Sequence, residues 1–116
     1  MVLLRHQLPD ATHHFDLLLA PRPVIQDEER DVATWRCTAD PCALQPGDAT
    51  LIQRIAPHRG LYLRLLEARE LGGDRGVVAI VRSGSHRWVD GQLELTIQDL
   101  GTRRYLVTLD RIERLT

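Results

Sequence analysis

Apolar and polar positions along this chain alternate in short runs, and nearly everywhere the period is that of a strand. Leu93-Glu94-Leu95-Thr96-Ile97-Gln98 alternates cleanly, and Arg104 to Leu109 does so again, each with one apolar and one wet face. Val2 to His6, His13 to Ala20, Val32 to Cys37, Leu51 to Ile55, Leu61 to Leu66 and Arg87 to Val89 read as further extended segments. Val77 to Val81 is β-branched enough for a central strand. Pro21-Arg22-Pro23, the loop over 38–49, Gly60, Gly72 to Gly76, Ser83-Gly84-Ser85, Asp90-Gly91 and Gly101 are the turn signals. Gln26 to Asp31 reads as a charged connection, with one helical turn over 24–31 as the alternative. Short strands punctuated by Gly and Pro predict a mainly β fold: a small closed or partly open antiparallel β-barrel of about eight short strands, with little helix.

At 116 residues the chain is expected to be one domain spanning 1–116, with a single modest core. No apolar run approaches the roughly 20 residues of a membrane span. Met1 to Arg5 lacks the apolar region of a signal peptide, so a cytoplasmic, membrane-free monomer is expected. Cys37 and Cys42 have no second Cys or His pair to complete a zinc site and read as packing thiols. The formal charge of −1 announces no polyanion partner, so any phosphate site must be a local patch. All 15 basic side chains are Arg, which suits phosphate recognition, although a GC-rich genome produces the same bias.

The stretch carrying candidate chemistry is His13-His14-Phe15-Asp16-Leu17-Leu18-Leu19. On a strand His14 and Asp16 share one side while Phe15, Leu17 and Leu19 take the other. An imidazole and a carboxylate on one rigid strand are two thirds of a common divalent-metal site. His6, on the preceding run, supplies a third donor if the two strands pair antiparallel across the Pro9-Asp10 turn. Spacing alone leaves open a carboxylate that merely orients a structural imidazole, or two polar groups on a solvated face.

His6, the His14-Phe15-Asp16 triplet with its Leu17-Leu18-Leu19 run, Trp35, His58, Tyr62, the Gly72 to Gly76 turn and the Gly101 to Leu109 hairpin follow one another in a telling order. In that order the chain resembles the 3′-phosphoesterase module of bacterial DNA ligase D, and more closely its short stand-alone relatives. The resemblance implies a compact β-barrel that strips a 3′-phosphate or a 3′-ribonucleotide from DNA ends during repair. It implies Mn²⁺, or Zn²⁺ or another divalent transition metal, held by His6, His14 and Asp16. His58 would contact the scissile phosphate and Tyr62 would support it. DNA 3′ ends would be the substrate, and a repair ligase or polymerase the partner.

Two positions depart from the pattern. Leu18 stands where the active module has a phosphate-clamping Arg, and Leu66 stands near the place of an acidic residue, with Glu67 one step on. Losing a bidentate Arg removes phosphate affinity and transition-state charge stabilisation. Arg59 and Arg5 are the candidate replacements, with Arg75 a further one. The alternative is a catalytically weak or inactive barrel that binds nucleic-acid ends or a repair partner. Trp35 and Trp88 read as core or barrel-closing anchors rather than base-stacking platforms. His13, His86, Arg103-Arg104 and Arg111 to Arg114 read as surface groups.

Overall fold

A computed structural model describes all of residues 1–116. Nine strands form it: β1 Val2–Gln7, β2 His13–Leu19, β3 Val32–Cys37, β4 Ala49–His58, β5 Arg69–Leu71, β6 Gly76–Val89, β7 Gln92–Ile97, β8 Gly101–Val107 and β9 Arg111–Arg114. Every pairing is antiparallel. The order β1-β2-β3-β4-β9-β8-β7-β6 closes on itself through a β1–β6 pairing, which makes an eight-stranded barrel with β5 hung on β6. Closure removes the edges that short strands would otherwise expose. No helix is long and apolar enough to cross a membrane.

Two long strands do the closing. β4 pairs β9 over Ala49–Leu51 and then β3 over Ile52–His58, while β6 pairs β1 in its first half and β7 from Gly84 on. This corrects the expected turn at Ser83-Gly84-Ser85, because the chain passes through it as strand. The glycine serves close approach instead: a Cβ on Gly84 would collide with the Thr96 carbonyl oxygen. Asp90-Gly91 is the expected hairpin turn, with both residues at positive φ.

The run Leu61 to Leu66 is not a strand. Gly60–Leu63 forms a 3₁₀ turn, because its amides are taken by a neighbouring loop: Gly60 N–H donates to the Glu29 carbonyl and Leu61 N–H to that of Asp27. The loop over 24–31 contains no helical turn. β5 and β9 were not anticipated from the alternation: each is only three or four residues long, and charged groups dominate both. Trp35 is half-buried against the core beneath the Arg54 guanidinium, and Trp88, 50% exposed, faces Leu17, Leu19, Leu93 and Ile112 at the barrel's end, where it closes the core rather than lying within it.

Alternation sorts the side chains of β1 to β3 into two apolar layers. Met1, Leu3, Leu17, Leu19 and Cys37 point into the barrel and meet Leu93, Leu95, Ile97, Tyr105 and Ile112 from the opposite wall. Val2, Leu4, Leu18 and Val32 point outward, where Ile25, Tyr62, Leu63 and Leu65 from two surface segments cover them. Arg64 ties those segments together by donating to the Ile25 carbonyl and the Asp27 carboxylate. Each fully buried Leu contributes about 1.5–3 kcal/mol. The outer layer ends partway along β1 and β2, and the polar residues begin there.

Candidate metal centre

The β1–β2 register places His6 opposite His14 and Leu4 opposite Asp16, and the β2–β3 register places Asp16 opposite Arg36. All four polar side chains therefore emerge on the outer face, directly beyond the covered layer. One ligand atom from each of His6, His14 and Asp16 lies within 4.8 Å of the others. His6 Nδ1 and His14 Nε2 are 3.1 Å apart, and His14 Nε2 is 3.5 Å from Asp16 Oδ1. Two donors each about 2.1 Å from one cation, at tetrahedral or octahedral angles, lie roughly 3.0–3.4 Å apart. The His6–His14 separation falls in that range and the His14–Asp16 separation lies just above it.

The proton positions suit a cation as well. His6 Nε2 sits 2.6 Å from the Arg75 carbonyl oxygen. A carbonyl carries no proton, so Nε2 must donate, and the lone pair of His6 is left on Nδ1, facing His14. A backbone carbonyl behind a ligand imidazole is the usual way its tautomer and ring angle are held. Burial pushes the His14 imidazolium below its ordinary pKa, against the opposing pull of the Asp16 charge, so His14 favours the neutral form that ligates.

Asp16 is 2% exposed, and its Oδ1 is the one buried side-chain oxygen or nitrogen with no hydrogen-bond partner. His14 Nε2 at 3.5 Å makes no hydrogen bond to it, and Arg36 Nε at 3.8 Å, like His58 Nε2 at 3.8 Å from the other carboxylate oxygen, is beyond hydrogen-bond range. A buried carboxylate without a partner is costly, and a divalent ion held between the imidazoles would satisfy it. The donor set of two nitrogens and one oxygen suits Mn²⁺, Zn²⁺ or a similar ion.

Around this cluster lies an open cleft of about 610 Å³. His6, Asp16, Val78, the Ile55 to Arg59 segment and Tyr62 line it. The His58 ring stands edge-on to Tyr62 at 5.4 Å, so the Tyr62 ring braces His58 beside Asp16. Arg30, Arg36, Arg59 and Arg75 all line the cleft, opposed among the lining residues by Asp16 alone. In a chain of net charge −1 this is a strongly cationic locality. Arg59 donates to Glu28 at 3.3 Å and lies over the Tyr62 ring.

The structure thus brings together seven of the eight residues singled out from sequence: His6, His14, Asp16, His58, Tyr62, Arg59 and Arg75. It does not bring Arg5, which follows Leu4 and precedes His6 and so points to the opposite face of β1, away from the cleft. Arg36 and Arg30 were missed. No local motif marks them, and only cross-strand register puts Arg36 beside Asp16. Leu18 is 0% exposed within the covered apolar layer, so no cation could enter from its position without unpacking that layer. No protein-family model matches the chain, and neither does any curated protein.

Proposed function

We propose that the cleft is the active site of a metal-dependent phosphoesterase that processes DNA 3′ ends, removing a 3′-phosphate or a 3′-ribonucleotide. The observation carrying this reading is the convergence of His6, His14 and Asp16 on a buried carboxylate oxygen that has no partner in the protein. His6, His14 and Asp16 would hold Mn²⁺ or a similar divalent ion. When bound, such an ion polarises a phosphoryl oxygen and acidifies water. His58, braced by Tyr62 at the rim, is placed to hydrogen-bond a phosphate oxygen or to pass a proton to the departing one. The guanidinium groups neutralise the substrate and the charge that builds on it.

The motif order shared with the ligase D module supplies the DNA 3′ end as substrate and a repair ligase or polymerase as partner. The four-arginine lining supports an anionic substrate independently. Thermal unfolding with Mn²⁺, Zn²⁺ or Mg²⁺, followed by incubation with a 3′-phosphorylated primer–template, tests the reading. Mn²⁺ is expected to raise Tm in the wild type and not in His14→Ala, and only the wild type should liberate phosphate. Leu18 favours a second reading, a barrel that binds DNA ends without cleaving them. Metal-linked stabilisation and end binding with no phosphate release would establish that second reading.

A further inference from the structure

Four arginines line the cleft, but they are not equivalent. Arg59 is engaged by Glu28 and lies over Tyr62. Arg75 sits on the Gly-rich turn with its Nε committed to the Gly72 carbonyl. Arg30 lies on the loop before β3. Arg36 alone is on a strand, and that strand is paired on both sides, by β2 and β4. It stands directly across from Asp16, its side chain is 46% exposed, and its guanidinium makes no hydrogen bond; its nearest carboxylate atom is 3.8 Å away.

An arginine held this way has one Coulombic attachment, to Asp16. A cation on the Asp16 carboxylate removes that attachment and leaves the planar fork facing the cleft. A fork beside a cation, with an imidazole across from it, can receive two oxygens of a phosphate while the third faces the cation. No such fork can come from β2 itself, because the outward position after Asp16 is the buried Leu18.

We propose that Arg36 is the anion clamp of this cleft, reaching across from the neighbouring strand to grip a terminal phosphate monoester bidentately. A monoester carries nearly two negative charges near neutral pH and a diester one. A lining of four guanidinium groups against one carboxylate therefore selects the monoester. This rests on reading the cleft as a phosphoesterase site, and it makes Arg36 the residue that sets preference for the 3′-phosphate end.

The test is fluorescence anisotropy with a labelled single-stranded oligonucleotide ending in a 3′-phosphate, a 3′-methylphosphate or a 3′-hydroxyl, in Mn²⁺ and in EDTA. The proteins are the wild type, Arg36→Ala, Arg36→Lys and, as an off-cleft control, Arg5→Ala. Arg36→Ala is expected to weaken 3′-phosphate binding at least about tenfold and to erase its advantage over the other ends. It should leave the Mn²⁺-induced rise in Tm intact. Arg36→Lys should restore only part of the affinity, because it returns charge without the fork. Arg5→Ala should match the wild type. Undiminished preference for the 3′-phosphate in Arg36→Ala overturns the proposal, as does a wild type that binds the methylphosphate equally well. A wild type with no Mn²⁺-dependent rise in Tm defeats the metal reading instead, and the EDTA arm then decides the clamp by the same comparison.

Discussion

His6 Nδ1 and His14 Nε2 face each other across 3.1 Å between two strands paired in direct register. That separation depends on pairing rather than on either side chain alone. A slip of one residue in β1 would turn His6 into the barrel and bring Arg5 to the cleft. The apolar alternation prevents the slip, since Leu3 and Leu17 must enter the core while Leu4 and Leu18 enter the outer layer. The His6–His14–Asp16 cluster is thus held in place by packing on both sides of one sheet.

Asp16→Asn separates the stability of the barrel from the chemistry of the site. The carboxylate is buried with an unpartnered oxygen, so removing its charge relieves a desolvation cost while conserving shape. The expected outcome in chelator is a Tm equal to or above that of the wild type. In saturating Mn²⁺ the wild type should gain about 2.7 kcal/mol at a hundredfold excess over Kd, and the variant nothing. Paired thermal melts check both arms.

Leu18→Arg tests whether the arginine of the ligase D pattern can simply be reinstalled. Leu18 is fully buried among Val2, Leu4, Ile25 and Val32, so the new charge would enter an apolar layer with no carboxylate to meet it. A loss of stability of about 3 kcal/mol or more is expected, read from urea melts. Leu18→Ala should cost about 2–5 kcal/mol through the cavity alone.

Gly76→Ala should damage the metal centre without touching a ligand. Gly76 has φ of +93°, and a Cβ there would collide with the Gln7 carbonyl at the end of β1. Relief of that collision displaces the preceding Arg75 carbonyl, which holds the His6 ring. Mn²⁺ affinity measured by calorimetry should fall about 10–100-fold, the usual penalty for losing the partner behind a ligand imidazole.

Alkaline pH should weaken the barrel through its thiols. Burial pushes both Cys37 and Cys42 up to about 12, with the Asp16 and Asp40 charges respectively adding to the effect. Their folded values lie above the ordinary value near 9, so the unfolded chain releases these protons first. Their contribution to stability is complete below about pH 9 and declines as pH rises toward 12. Urea melts between pH 7 and 10.5 should show the fall, and a Cys37→Ala, Cys42→Ala double variant a shallower one. In native buffer both buried thiols should resist alkylation until the protein unfolds.

Much of the barrel was legible because β7 and β8 alternate apolar and polar positions, while β1 and β2 carry short apolar runs buried on both faces. β1, β2, β3, β7 and most of β8 stand where the apolar pattern put them. The errors have one origin: Leu61 to Leu66 is apolar enough for a strand, but Gly60 and Leu61 N–H donate to the 27–29 loop and Tyr62 and Arg64 N–H close a turn. Ser83-Gly84-Ser85 carries turn residues yet remains strand because β6 passes there from β1 to β7, and the Thr96 carbonyl of β7 comes too close for any Cβ. Neither fact is local to its segment.

The candidate site divides along the same line. The amino-acid sequence by itself determined that His14 and Asp16 share a face and that His6 lies on the next strand, because a period of two is a property of any extended chain. Only the tertiary structure decided that Asp16 is buried with an oxygen unpartnered, that Arg36 rather than Arg5 lies beside it, and that the Arg75 carbonyl orients His6. Those relations depend on which strands pair and in which register, and that is chosen by the packing of the whole barrel.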